Sequence, residues 1–210
     1  MKPRRNFDEE ALAWDEHPGR VRIMGEIADA LFSDIALKPD MDVLDFGCGT
    51  GLVSLRIAGD VASLTGVDTS ESMLEVFHRK AQNLKLENVR GLRVDLDLGG
   101  EIPGRYDLVV SSMVLHHIEH IPEVLARLYA ALKPSGRIRL ADLDLDGGRF
   151  HEDPTGVFHE GFDRAEVLRM MEQAGFSGLR IGLAAEIVRP GADGVEQHFT
   201  TFVASGQRSG

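Results

Sequence analysis

Val43-Leu44-Asp45-Phe46-Gly47-Cys48-Gly49-Thr50-Gly51 runs from an apolar stretch through a carboxylate into three glycines at alternate positions. Leu52, Val53, Leu55, Ile57 and Ala58 follow and read as the start of a helix. Strand, glycine turn and helix make the geometry that cradles a nucleotide-like ligand. Glycine lets backbone N–H groups approach such a ligand with no Cβ in the way. The spacing does not match the dinucleotide fingerprint G-x-G-x-x-G, because Leu52 stands where its third glycine belongs. Asp45, just ahead of the loop, would repel a diphosphate and suits a ligand that carries an ammonium group.

Downstream of the loop, strands and helices alternate. Ser63–Val67 reads as a second strand ending at Asp68, at the spacing of about 20 residues where an acid can hold ribose hydroxyls. Such a strand-tip acid is expected to be solvated when no ligand is bound. Ser70 reads as an N-cap, and Leu74, Phe77, Ala81 and Leu84 share one face of the helix behind it. Met73 in its first turn lies near the expected ribose. A third strand covers Val89–Val94. The run Leu108-Val109-Val110 within Tyr106–Ser111 is of the continuous apolar type found in strands buried on both faces. A helix over Ile121 to Leu132 stops at Lys133-Pro134-Ser135-Gly136, and a fifth strand spans Arg137–Ala141. Residues 143–162, with two histidines and three phenylalanines, read as an ordered loop. Asp163-Arg164-Ala165-Glu166 matches a capping box, and its helix ends at Gly175. Leu179–Val188 and His198–Ala204 read as an antiparallel pair joined by a turn at Pro190–Gly194. Upstream, Phe7–Trp14 and Gly19–Leu37 read as helices of an N-terminal cap over residues 1–37, with Pro18 at a first turn. This alternation predicts an α/β fold, a three-layer sandwich whose mostly parallel seven-stranded sheet ends in an antiparallel hairpin.

The 210 residues carry 23 Lys and Arg against 34 Asp and Glu, a formal net charge of −11. That balance argues against nucleic acid or an anionic membrane as the main partner. Lys2, Arg4 and Arg5 are too few to reverse it and read as a solvated tail. One domain over 1–210 is expected. The single cysteine, Cys48, allows no intrachain disulfide and reads as a small residue that fits the glycine loop. There is no apolar signal core and no run of about 18 apolar residues, so a cytoplasmic protein without a membrane span is expected.

A ligand with an ammonium, an adenosine and no phosphate is S-adenosylmethionine. Asp45-x-Gly47-x-Gly49-x-Gly51 resembles the first motif of class I S-adenosylmethionine-dependent methyltransferases, and the order of elements over about 40–205 resembles their Rossmann-like fold. Gly66-Val67-Asp68-Thr69-Ser70 with Met73 is similar to the second motif, where the acid holds the ribose. Asp95-Leu96 sits where the family places an acid and a backbone N–H at the adenine. Asp97 competes for that role, and Asp95 is favoured. Ser111-Ser112-Met113-Val114-Leu115-His116-His117-Ile118 resembles the segment flanking the methionine moiety, and Leu132-Lys133-Pro134-Ser135-Gly136-Arg137 the turn before the fifth strand. Phe7-Asp8 with Trp14-Asp15 resembles the cap of the small-molecule branch. The resemblance implies methyl transfer to a small-molecule acceptor. It places the cofactor on Asp45, Gly47, Cys48, Gly49, Gly51, Asp68, Thr69, Met73, Asp95, Leu96, Ser111 and Ser112.

Methyl transfer is an in-line displacement in which the enzyme mainly positions the nucleophile. A general base is needed only where the acceptor must lose a proton. His117, after the fourth strand, and His159, in the 143–162 loop, are the candidates. Trp14, His151, Phe158 and His159 are candidates for the acceptor pocket. His116 and His120 are four apart, as metal ligands on a helix are, but no third ligand has matching spacing and no metal is expected. Two other readings are a nicotinamide-dependent oxidoreductase, disfavoured by Leu52 and Asp45, and a non-catalytic S-adenosylmethionine-binding protein.

Overall fold

The computed structural model describes residues 3–190 and 195–210. Lys2 of the basic tail and residues 191–194 of the expected turn lie outside them. Seven strands form one sheet: β1 Asp42–Phe46, β2 Ser63–Asp68, β3 Val89–Arg93, β4 Tyr106–Ser112, β5 Leu132–Leu143, β6 Ser177–Pro190 and β7 Glu196–Gln207. Their order is β3-β2-β1-β4-β5-β7-β6. The pairs among β1 to β5 are parallel, and β7 runs antiparallel to both β5 and β6. The helices are α1 Pro18–Phe32, α2 Glu71–Asn83, α3 Ile121–Ala131 and α4 Arg164–Gln173.

The layers follow from the two-residue alternation of strand side chains. On one face Leu44, Val109 and Leu140 meet Val124 and Leu128 of α3 and Val167 and Met171 of α4. On the other, Val43, Leu64, Leu108 and Val110 meet Leu74, Phe77 and Ala81 of α2. Both faces of β1 and β4 are therefore covered, as their apolar runs predict. No helix of the described residues is long and apolar enough to cross a membrane.

Four elements differ from the sequence reading. The helix expected over Gly19–Leu37 ends at Phe32. The helix expected after the glycine loop is two short 3₁₀ turns, Ser54–Arg56 and Ala58–Asp60. Few residues separate the loop from β2, and α1 takes the space a longer helix would fill, packing Ile27, Ala28 and Leu31 around Val53. The helix expected over Phe7–Trp14 is a 3₁₀ turn at Ala11–Glu16. The expected stop at Lys133–Gly136 lies inside β5, with Ser135 at φ 64° absorbing the bend.

The α4 start is half of the expected capping box. The Asp163 side chain accepts from the N–H groups of Ala165 and Glu166 at 2.9 and 3.0 Å, while Glu166 pairs with Arg169. Asp163→Ala should cost about 1 kcal/mol in urea denaturation. Glu166→Ala, which removes only an exposed pair, should cost less than about 0.5 kcal/mol.

Candidate functional site

The strand order reverses between β1 and β4, and a cavity of about 170 Å³ opens beyond the carboxyl ends of these strands. Its floor is the glycine loop. Gly47, Gly49 and Gly51 have φ of 72°, 50° and 81°, a region that side chains with a Cβ avoid. A Cβ on Gly47 would lie 2.2 Å from the Val114 side chain, whereas one on Gly49 would meet nothing within 4 Å. Gly47, Cys48 and Gly49 line the cavity. Gly51 faces inward, against Leu55 and Phe77.

Asp68 fixes this loop. One carboxylate oxygen accepts from Gly49 N–H at 2.8 Å and the other from Ser70 N–H at 2.9 Å. Burial raises its pKa, and these backbone donors oppose the rise. Ser70 caps α2 by accepting from Met73 N–H and donates to Asp8 at 2.6 Å. Asp68, Thr69 and Met73 all line the cavity, as do Asp95, Leu96 and Ser112. Ser111 does not. Its hydroxyl donates to the Phe46 carbonyl and ties β4 to β1.

Asp45 also lies behind the wall, 1% exposed. Neither its Oδ1 nor the buried Ser54 Oγ has a hydrogen-bond partner. Burial pushes its pKa up to about 7, and the Asp68 charge adds to the rise. Unlike the glycines beside it, Asp45 does not line the cavity.

The N-terminal segment forms the roof, as a cap over residues 1–37 would, but it is held by contacts the sequence did not show. Arg4 pairs with Asp95 at 2.9 Å and Asp97 at 2.6 Å, and Arg5 pairs with Glu10 at 2.7 Å. Both arginines line the cavity, so they are not the solvated tail expected. Asp15 accepts from Thr50 of the glycine loop at 2.6 Å and from Lys80 of α2 at 2.7 Å. Trp14 lines the cavity with Phe7 against its ring edge, and the Arg20 guanidinium lies 3.9 Å from its ring centre. Asp97 is buried and accepts from the N–H groups of Glu119 and His120 just before α3, which leaves Asp95 as the acid at the cavity. The ligand-type atoms of Asp97, Glu119 and His120 come within 4.8 Å of one another, but Arg4 already occupies Asp97.

The histidines divide. His117 lines the cavity, and its Nδ1 lies 2.7 Å from the Gly156 carbonyl. A carbonyl only accepts, so Nδ1 carries the proton and Nε2 is left as a bare acceptor. Burial lowers its pKa to about 3, helped by His116, so His117 is neutral at physiological pH. His116 is buried and bonded to Asp142 at 2.6 Å. His151 stacks on His116 at 4.8 Å behind the wall, with its Nε2 unpartnered and its pKa lowered to about 4 by burial first. His159 is turned away from the cavity, its Nε2 on the Ile118 carbonyl at 2.9 Å and its ring against Phe162. Its neighbour Phe158 does line the cavity.

The methyltransferase domain family matches residues 43–136. An uncharacterized methyltransferase of Schizosaccharomyces pombe is 33% identical over 159 residues, 69% of this chain and 56% of that protein. The chain thus spans little more than half of that relative's length. A putative methyltransferase solved in complex with the Haloferax volcanii Trm112 methyltransferase activator superposes with a TM-score of 0.78 at 18% identity, over 98% of this chain and 96% of that one. The phosphoethanolamine N-methyltransferase 2 of Haemonchus contortus, in complex with S-adenosyl-L-methionine, gives 0.71 at 14% identity, over 98% and 60%. The fold is that of Rossmann-like methyltransferases. Together these similarities support a class I S-adenosylmethionine-dependent methyltransferase.

Two stability predictions follow from the carboxylates. Asp68→Ala leaves two backbone donors without their partner and should destabilise the ligand-free protein by about 1–3 kcal/mol in denaturant titration. A solvated acid would cost nothing there. For Asp45 the folded pKa lies above the unfolded one. Its contribution to stability is full below about pH 4 and is lost as pH rises through about 7. Asp45→Asn should therefore stabilise the ligand-free protein at pH 8, by at most roughly 4 kcal/mol, and leave it unchanged at pH 4.

Proposed function

We propose that the protein binds S-adenosylmethionine in this cavity and transfers its methyl group in line to a small-molecule acceptor. The observation that carries the reading is the left-handed glycine loop, locked to Asp68 and facing a cavity walled by Trp14, Phe158 and His117. The bound cofactor would supply an activated methyl carbon on a sulfonium. The residues of this chain would hold it as follows. Gly47, Cys48 and Gly49 let it approach the backbone. A carboxylate has about four acceptor sites, so Asp68 keeps capacity for the ribose hydroxyls beside its two backbone donors. Asp95 and Leu96 flank the adenine, Met73 packs near the ribose, and Asp45 answers the ammonium from behind the loop. Ser112 borders the methionine end.

The cavity is smaller than the ~300 Å³ at which small-molecule sites usually begin. The roof over residues 3–16 would yield to admit the ligand and close over it. Trp14 and Phe158 would give the acceptor apolar walls. Neutral His117 would accept a hydrogen bond through Nε2 from an acceptor O–H or N–H and so orient its lone pair. With so low a pKa it is a positioning group more than a proton store. His159 is better read as a support for the Ile118 turn than as the base. The net charge of −11 favours a small acceptor over nucleic acid.

S-adenosylmethionine and its demethylated product should each stabilise the fold by about 2.7 kcal/mol at a hundred times their dissociation constant, and reduced nicotinamide dinucleotides should not. A melting shift with the nicotinamide cofactor alone would overturn the reading. Turnover of a candidate acceptor separates an enzyme from a mere binder. The methyl-transfer rate should show no falling limb near pH 6.5, where an unperturbed histidine titrates. His117→Ala should lower kcat about ten- to hundredfold while cofactor binding holds. A wild-type limb at pH 6.5 that this variant removes would make His117 a true base instead.

A further inference from the structure

A second cavity, of about 280 Å³, lies at the opposite end of the sheet and shares no lining residue with the first. It sits below the end of α1. Three arginines line it, Arg137, Arg139 and Arg180, against a single carboxylate, Asp34. The strand register explains how they meet. Arg139 stands opposite Ser205, and Ser205 opposite Arg180, while Arg137 stands opposite Gln207. Directly opposed residues share a sheet face. Two residues further along β5 the same face carries Ala141, paired with Val203 and covered by α1. Since α1 ends at Phe32, the polar rows below it stay open.

Arg139 has a structural role. Its side chain is 9% exposed and pairs with Asp34 just past α1. That role does not extend to the other two. Among the described residues neither Arg137 nor Arg180 is in a salt bridge. Burial, and then the charge of Arg180, holds Arg139 below its usual basicity, so the cluster repels itself as it stands. A chain of net charge −11 gathers no anions by its overall field, so three arginines against one carboxylate are a local feature. The backbone adds to it. The β6–β7 register shifts between Ser177 and Arg180, and Gly178, at φ 64°, lines the cavity. A bulge with a left-handed glycine frees backbone N–H groups from the ladder and forms the kind of concavity that takes anions.

We propose that this cavity binds a phosphate group, free or carried on a small molecule, between Arg137, Arg139 and Arg180. Guanidinium forks match phosphate oxygens two at a time, and three of them, two on β5 and one on β6 across the intervening β7, line this one cavity.

Calorimetry and thermal melting of the full chain, at constant ionic strength, test this with inorganic phosphate, pyrophosphate and chloride. Saturable binding of phosphate or pyrophosphate is expected, with Arg180→Gln and Arg137→Gln each weakening it about tenfold or more. Arg139 is left intact because it holds Asp34. Binding of S-adenosylhomocysteine to the first cavity should be unchanged in both variants, which separates this site from the methyltransferase reading. Equal affinity for both anions assigns free phosphate, and tighter pyrophosphate assigns a phosphate-bearing molecule. If neither anion does more than chloride, or if both variants bind as wild type does, the proposal is wrong.

Discussion

The Asp68 carboxylate holds two chain turns at once. Gly49 N–H on one oxygen fixes the glycine loop after β1, and Ser70 N–H on the other fixes the start of α2 after β2. Two backbone donors on a half-buried carboxylate are strong bonds, and each donor would be costly to leave without a partner. The neighbouring contacts build on this junction. With Ser70 in place, Met73 enters the cavity wall and Asp8 reaches the Ser70 hydroxyl and Ser72 N–H. With the loop in place, Thr50 meets Asp15. The N-terminal roof is thus attached to the two turns that Asp68 aligns.

The roof itself is held by charge as much as by packing. Arg4, Asp8 and Asp15 reach three separate parts of the body, at Asp95 and Asp97, at Ser70, and at Thr50 with Lys80. Its apolar contacts are fewer, chiefly Ala11 with Met73 and Val76, and Phe7 with Trp14. Partly exposed ion pairs each contribute little and are screened by salt. A segment attached in this way can open at low cost.

How far the sequence disclosed this follows from the range of each signal. Local signals were legible. The glycine loop, the Ser70 and Asp163 caps, the buried strand at Leu108–Val110 and the terminal hairpin are each set by residues within a few positions. Long-range choices were not. Arg4 lies 91 residues from Asp95, and nothing near it in sequence distinguishes a tail from a roof. The short turns after the loop had helical periodicity, but few residues separate the loop from β2 and α1 packs beside Val53. His159 and His117 looked alike in sequence. Their different fates depend on which way each backbone leaves the turn bonded to His116, whose carbonyl accepts from both Phe158 and His159 N–H.

The charges around the cavity also agree with one another. A sulfonium ligand would be repelled by free cations on its wall, yet Arg4 and Arg5 both line this one. Each is paired with carboxylates, Arg4 with two and Arg5 with Glu10. His117, the third basic group on the wall, is kept neutral by burial and by its histidine neighbour. On the other side of the loop, Asp45 is a carboxyl whose ionisation is held back until a cation is near. The arginines can therefore shape and close the site without making it positive, and the nearest uncommitted acid gains its charge most readily when a cationic ligand arrives. Binding of such a ligand should draw Asp45 toward ionisation and release a proton near pH 7, because the ligand stabilises only the charged form.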